Sequence, residues 1–118
     1  MTRVLVVDDD PQFRRVMRIA LRAHGYDVTE AADGYQALGE MRIKAIDVVL
    51  LDWKMPGMDG EATCRAIRST SKVPIIVVTA SDRLSDAFAT RVDAVFHKPV
   101  NIEALLACID SGSGRGVS

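Results

Sequence analysis

Polar side chains that could do chemistry lie at or just after the ends of the apolar runs in this sequence. They are Asp8, Asp9, Asp10, Asp52, Thr79 and Lys98. If the runs are parallel strands, their carboxyl ends meet at one edge of a sheet, where ligands usually bind. The sequence therefore predicts an acidic pocket that also contains one hydroxyl and one ammonium group.

Clustered carboxylates need a counter-charge. Two unit charges about 4 Å apart interact by about 1 kcal/mol in water and by about 4 kcal/mol at an effective dielectric constant near 20. A divalent cation would relieve that repulsion. The ligands on offer are hard oxygens, which favours Mg²⁺ or Mn²⁺ over zinc or copper, and Mg²⁺ usually keeps coordination positions open for phosphoryl oxygens.

The pocket is suited to phosphoryl transfer rather than to holding a nucleotide. Neither glycine-rich phosphate-loop motif occurs in the sequence, and three carboxylates after the first run would repel a free phosphate. A strand-end carboxylate can instead attack a phosphoryl donor while the metal and Lys98 neutralise the transferred charge. Asp52 is the candidate acceptor, and the new phosphoryl oxygens could then draw Thr79 and Lys98 inward.

Short β-branched runs alternate with amphipathic stretches, which predicts five β/α units. We expect strands at residues 4–7, 27–31, 46–51, 75–79 and 94–97. We expect helices at residues 11–24, up to 41 behind a cap at 33, 61–69, about 81–91 and after a cap at 101. Strands that are apolar on both faces and are followed by helices indicate an α/β fold, with a doubly wound parallel sheet covered on both sides.

Helix boundaries are marked by residues with known capping preferences. Asp10 can cap the first helix, Pro11 suits its first position, and Gly25 suits its C-terminal end. Asp33 and Asn101 can cap the second and the last helix in the same way.

Composition limits the class of protein. The chain has 118 residues, 48% of them hydrophobic, and a net charge of −1, which favours one domain and argues against disorder or a basic nucleic-acid surface. The longest apolar runs are far shorter than a membrane span of roughly 20 residues, and no secretory signal pattern is seen. Cys64 and Cys108 have no disulfide or zinc spacing, so we expect a soluble cytoplasmic protein.

Four blocks of the sequence, taken in order, resemble the receiver domain of two-component response regulators. They are VLVVDDDP, VVLLDWKMPGMDG, PIIVVTA and HKP, and the resemblance covers about residues 3–110. It implies a flavodoxin-like fold of five helices and a sheet with strand order 2-1-3-4-5. We expect a receiver domain at residues 1–110, followed at 111–118 by a flexible tail or a truncated linker.

The resemblance also implies roles for the pocket residues. Asp52 would accept the phosphoryl group from a sensor histidine kinase or a phosphotransfer protein. Asp9 and Asp52 would bind Mg²⁺ directly, and Asp8 would act through water. The backbone carbonyl of Lys54 would complete the protein ligands.

Two further residues and one peptide bond follow from the same resemblance. Thr79 would be the switch hydroxyl and Lys98 would bind the phosphoryl group, with a cis peptide bond before Pro99. Such a domain signals to an output domain or protein that the sequence does not identify. We expect no direct nucleic-acid or membrane partner for this domain, and a homodimer is one possible state.

The sequence departs from the family pattern on the output side. Val95 stands where an aromatic residue is usual, and Phe96 next to it should point to the opposite face of its strand. Arg91 and Val92 replace a usual Gly-Ala pair, and the short interval between Thr79 and Lys98 predicts a short or irregular fourth helix. We therefore expect weakened coupling between Thr79 and the residue at position 95, and incomplete activation.

Two other functions fit parts of the sequence. A magnesium-dependent aspartyl phosphatase also uses a strand-end aspartate, but the haloacid-dehalogenase-like enzymes carry a second acid two residues later, where Lys54 stands here. An interaction module that works without phosphorylation would fit Val95 and the short fourth helix. We expect a phosphoacceptor signalling domain rather than an enzyme that turns over a substrate.

Overall fold

The computed structural model describes residues 1–80 and 91–113 of the chain. Strands and helices alternate there from residue 3 to residue 79. The five strands of the described residues are β1 (Arg3–Val7), β2 (Asp27–Ala31), β3 (Val48–Leu51), β4 (Ile75–Thr79) and β5 (Ala94–His97). The four helices there are α1 (Pro11–Ala23), α2 (Gly34–Ile43), α3 (Gly60–Arg68) and α4 (Ile102–Ser113).

The strands form one parallel sheet in the order β2-β1-β3-β4-β5, which confirms the predicted fold class and topology. Because all strands run the same way, their carboxyl ends lie at one edge. Val7 on β1 is paired with Leu51 on β3. The residues that follow, Asp8 and Asp52, are therefore neighbours across the centre of the sheet.

Two apolar layers cover the sheet, one on each face. Alternate residues of β1 separate between them, Leu5 and Val7 towards α2 and α3, Val4 and Val6 towards α1 and α4. Each of these side chains is at most 1% exposed. Burial of one such side chain stabilises the fold by roughly 1.5–3 kcal/mol, so the sheet is a rigid support for its edge.

The predicted helix caps are confirmed. Asp10 accepts a hydrogen bond from the backbone N–H of Gln12 at 2.9 Å. Asp33 caps α2 and Asn101 caps α4 through equivalent contacts at 2.8 and 3.0 Å. Gly25, just after α1, has φ +95°, a conformation that glycine adopts without strain.

Some boundaries of the helices and strands differ from those predicted, and some predicted elements fall outside the described residues. The third strand begins at Val48 rather than Ile46, and α4 continues past residue 110 to Ser113. The expected helix at 81–91 falls, except for its last residue, outside the described residues, as do residues 114–118. The division into a domain at 1–110 and a tail at 111–118 stays a prediction.

No helix among the described residues is both long and apolar enough to cross a membrane. The longest, α1, has 13 residues.

The loop after β3 packs closely against the start of α3. A Cβ atom on Gly60 would lie 2.5 Å from Cα of Trp53 and 2.7 Å from the carbonyl oxygen of Asp52. The Gly60 N–H also donates to the carbonyl of Trp53 at 2.9 Å. Glycine at this position therefore lets the backbone that carries Asp52 rest against α3.

We expect Gly60→Ala to lower the free energy of unfolding by about 1–3 kcal/mol, because the added methyl group meets backbone atoms that cannot rotate away. Gly39→Ala is the matched control, since Gly39 is exposed in α2 and its Cβ would meet nothing within 4 Å. That change should raise stability by about 0.5–1 kcal/mol. Urea unfolding measures both, and equal shifts of the two variants would contradict the packing described here.

Candidate metal centre

Three carboxylates meet at the sheet edge. Oxygen atoms of Asp8, Asp9 and Asp52 all lie within 4.8 Å of one another. Asp8 is 1% exposed and Asp52 7%, whereas Asp9 is exposed to solvent. The structure therefore brings together the acidic residues that the sequence placed at two separate strand ends.

Backbone hydrogen bonds hold this arrangement. The N–H of Asp8 donates to the carbonyl of Ala31 at 3.1 Å, and that of Asp52 donates to the carbonyl of Val7 at 2.9 Å. The sheet ladder thus continues one residue past β1 and β3. The side chain of Asp8 accepts a hydrogen bond from the backbone N–H of Asp10 at 2.9 Å. Hydrogen bonds therefore hold both the backbone and the side chain of Asp8.

Lys98 brings an ammonium group to this edge. Its Nζ lies 2.7 Å from Oδ2 of Asp8 and 3.8 Å from Oδ2 of Asp52. Its backbone N–H donates to the carbonyl of Thr79 at 2.9 Å, which ties the residue after β5 to the end of β4. The peptide bond between Lys98 and Pro99 is cis, as predicted.

Opposing influences act on the Asp52 carboxyl, and the net effect raises its pKa above the ordinary value of 3.8. Burial raises the pKa most, and the Asp8 carboxylate raises it further. The Lys98 ammonium, a hydrogen bond from the Thr79 hydroxyl and one from the Lys54 backbone N–H lower it. The ionised form of Asp52 therefore carries an uncompensated electrostatic cost.

The donor set fits a hard divalent cation. The three clustered donors are carboxylate oxygens, the ligand type that Mg²⁺ and Mn²⁺ prefer. Lys98 lies closer to Asp8, at 2.7 Å, than to Asp52, at 3.8 Å.

Two residues at the site were not singled out by the sequence for any role there. The Phe13 ring centroid lies 4.2 Å from Nζ of Lys98. Arg14 donates to the backbone carbonyl of Asp8 at 2.6 Å and to Glu30 at 3.2 Å. A usable signal was present, because a helix that starts at Pro11 must place its first turn beside the preceding acidic run.

The departures on the output side are also visible. Val95 packs on the α2 and α3 face of the sheet, and Phe96 packs on the opposite face, as predicted. Val92 is 9% exposed and belongs to the same apolar layer as Val95. Val95 is thus a buried-face aliphatic side chain at the position where the family pattern led us to expect an aromatic one.

Comparison with known families decides the identity of the domain. The model of the response regulator receiver domain matches residues 4–110. The chain belongs to the response regulator receiver domain family. It is a receiver domain of the two-component type, for which phosphorylation of an aspartate is the expected mechanism. Receiver domains are signalling domains, and response regulators pair with histidine kinases.

Individual relatives agree with this assignment. The DNA-binding response regulator MtrA of Mycolicibacterium smegmatis is 40% identical over 108 residues, which are 89% of this chain and 47% of MtrA. The sensory transduction protein RegX3 of the same organism is 36% identical over an alignment of 119 residues, 98% of this chain and 52% of RegX3. The chain thus spans about half the length of the curated relatives it matches.

Solved structures show the same fold. TrrA of Thermotoga maritima, a response regulator solved in complex with Mg²⁺ and BeF, has a TM-score of 0.87 and 33% identity, covering 94% of this chain and 98% of its own. The chemotaxis protein CheY4 of Vibrio cholerae has a TM-score of 0.86 and 31% identity, covering 95% and 98%.

We expect Asp52→Asn to raise the free energy of unfolding of the metal-free receiver at neutral pH by on the order of 1 kcal/mol, because it removes a buried charge that Asp8 repels. Folding raises the pKa of Asp52, so the cost of the ionised group is absent below the unfolded-state value of 3.8. That cost grows as pH rises through the folded-state pKa and is complete above it.

Urea unfolding in EDTA, from neutral pH down to pH 3.8, measures the effect. The gain in the free energy of unfolding from Asp52→Asn should vanish as pH falls towards 3.8. Asp27→Asn is the control. It breaks an exposed ion pair with Arg3, in which the Asp27 side chain is 45% exposed, and should change stability by less than about 1 kcal/mol. A lower stability of Asp52→Asn than of wild type at neutral pH would contradict the account.

Proposed function

We propose that Asp52 is the phosphoacceptor of this receiver and that the modification requires Mg²⁺ at the acidic edge. The observation that carries the proposal is the meeting of three carboxylates with one ammonium group at the centre of the sheet edge. TrrA, a similar response regulator, was solved in complex with Mg²⁺ and BeF, which supports the choice of cation.

Each residue has a defined task in the transfer. An oxygen of Asp52 attacks phosphorus, the bond from phosphorus to the donor's imidazole nitrogen breaks, and the imidazole leaves with that electron pair. Asp9 and Asp52 would hold the cation directly, Asp8 through water, and the Lys54 carbonyl would complete the set. The bound cation would neutralise charge on the transferred group.

Lys98 contributes a fixed positive charge beside the acceptor. Its ammonium lies 3.8 Å from Asp52 and is paired with Asp8, so it is already placed to meet a phosphoryl oxygen on Asp52. An ordered charge of this kind stabilises the transition state without reorganisation at the moment of reaction.

Thr79 is the proposed switch residue. Its side chain is fully buried and donates a hydrogen bond to Asp52 in the unmodified domain. A phosphoryl group on Asp52 offers new acceptor oxygens, so the same hydroxyl can turn to them. A shift from 1:99 to 99:1 between two states requires about 5.5 kcal/mol of differential stabilisation. With Val95 in place of an aromatic residue, we propose that phosphorylation achieves only part of that shift.

The proposed partners follow from the family. A histidine kinase or a phosphotransfer protein donates the phosphoryl group. The proposed location of this reaction is the cytoplasm, which agrees with the two free cysteines of the chain. MtrA is described as a DNA-binding response regulator. This receiver carries a net charge of −1, so we propose that it acts on an output domain or protein and does not bind nucleic acid itself.

We expect wild-type protein to gain the mass of one phosphoryl group when it is incubated with acetyl phosphate and Mg²⁺. Asp52→Asn should gain none, and Lys98→Met should be labelled at least about tenfold more slowly, because the charge that meets the phosphoryl oxygens is lost. Intact-mass spectrometry measures all three. An unlabelled wild type, under conditions that label a control receiver, would instead favour a module that works without phosphorylation.

Steady release of inorganic phosphate from a phosphomonoester would point to the alternative enzyme, an aspartyl phosphatase. We expect no such turnover, because Lys54 stands where that enzyme class carries its acid.

Incomplete switching predicts a mixture of states in the activated protein. With BeF and Mg²⁺ bound, backbone resonances of β5 should remain broadened by exchange between two conformations on the microsecond to millisecond timescale. Val95→Tyr should move the same resonances further towards the positions of the activated conformation. NMR relaxation dispersion is the measurement. A single sharp state in the wild type would show that the aliphatic residue does not weaken the switch.

A further inference from the structure

The aromatic ring of Phe13 faces the ammonium group of Lys98. Nζ lies 4.2 Å from the ring centroid, within the roughly 6 Å over which a cation is attracted to the face of an aromatic ring. The same ammonium lies 2.7 Å from Oδ2 of Asp8. Lys98 is thus held by carboxylates and, in addition, by a π face.

Phe13 is itself fixed in place. Its side chain is half-buried and packs against the apolar layer beneath α1 and α4. The helix that carries it is capped by Asp10, and the next residue, Arg14, donates to the carbonyl of Asp8 at 2.6 Å. The position of the ring is therefore coupled to the same acidic run that holds the carboxylates.

The ring differs from the carboxylates in one respect that matters for transfer. A bound cation and a phosphoryl group change the charge around Asp8 and Asp52, whereas the quadrupole of the Phe13 ring stays the same. The attraction of the ring for the ammonium group therefore does not depend on those charges. Lysine has a long flexible stem and three rotatable donors, so its ammonium group is mobile unless several contacts hold it.

We propose that Phe13 is a positioning residue for phosphoryl transfer, keeping the Lys98 ammonium at the acceptor while the charges on the carboxylates change. This role rests on the proposed phosphorylation of Asp52. It extends the site to the first turn of α1 and gives an otherwise ordinary helix residue an effect on the transfer rate.

The first test compares two replacements of the ring. Phe13→Leu keeps the apolar packing but has no π face, and should slow phosphorylation by acetyl phosphate at saturating Mg²⁺ about fivefold, the ratio that corresponds to a contact of about 1 kcal/mol. Phe13→Tyr keeps the face and should remain within about twofold of wild type. Tyr35→Leu, which removes an aromatic side chain that is 68% exposed on α2, is the matched control and should change nothing.

The second measurement needs no phosphorylation. In the unmodified protein the Cε protons of Lys98 should show an upfield ring-current shift by NMR, which Phe13→Tyr keeps and Phe13→Leu abolishes. Absence of that shift in the wild type would overturn the proposed contact itself. Urea unfolding of both variants shows whether the fold is intact where rates are compared.

The results separate the two proposals. Slow transfer in Phe13→Leu with rescue by Phe13→Tyr supports the positioning role. Equal rates for wild type and Phe13→Leu, or equal slowing in both variants, would overturn it and leave the phosphorylation of Asp52 standing. A wild type that acetyl phosphate cannot label would remove the proposed function and the positioning role together.

Discussion

Repulsion between carboxylates at the sheet edge is the constraint around which the site is built. Asp8 and Asp52 are nearly inaccessible to solvent, yet their oxygens lie within 4.8 Å of each other and of Asp9. Burial and the neighbouring carboxylate raise the pKa of Asp52 even though Lys98 and Thr79 lower it. One ammonium group therefore offsets only part of the charge, and the edge retains an affinity for a further cation.

The sheet imposes that crowding. Val7 and Leu51 are partners in the central ladder, and the hydrogen bonds that continue beyond them leave the two aspartates no freedom to separate. The glycine at position 60 brings α3 against the same backbone. Folding energy from the two apolar layers thus maintains an electrostatic arrangement that is unfavourable by itself, a common feature of functional sites.

Much of this could be predicted from the sequence, because the signals were local. Apolar runs gave the strands, and the capping residues Asp10, Asp33 and Asn101 gave the helix starts, since each acts on N–H groups two or three residues away. The meeting of Asp8 with Asp52 followed once the strands were taken as parallel. The start of β3 was harder, because Ile46 and Val48 are both apolar and only the pairing with β1 decides between them.

Contacts that depend on tertiary geometry escaped the sequence. The approach of Phe13 to Lys98 joins residues from α1 and from the end of β5. The start of α1 after the acidic run indicates only that its first turn lies near the site, and does not indicate which side chain meets Lys98. The close packing at Gly60 also depends on where α3 comes to rest. On the output side, the opposite faces taken by Val95 and Phe96 followed from strand alternation. The effect of Val95 on switching depends on the relative populations of two conformations, which a residue pattern does not predict.

Binding of the cation itself tests the central claim most directly. Backbone resonances of Asp9, Asp52 and Lys54 can be followed by NMR while Mg²⁺ is added to the unmodified protein. The account predicts saturable shifts at these residues at millimolar or lower Mg²⁺, weakened strongly by Asp9→Asn. Resonances that stay unchanged at millimolar Mg²⁺ and are not broadened by Mn²⁺ would contradict it.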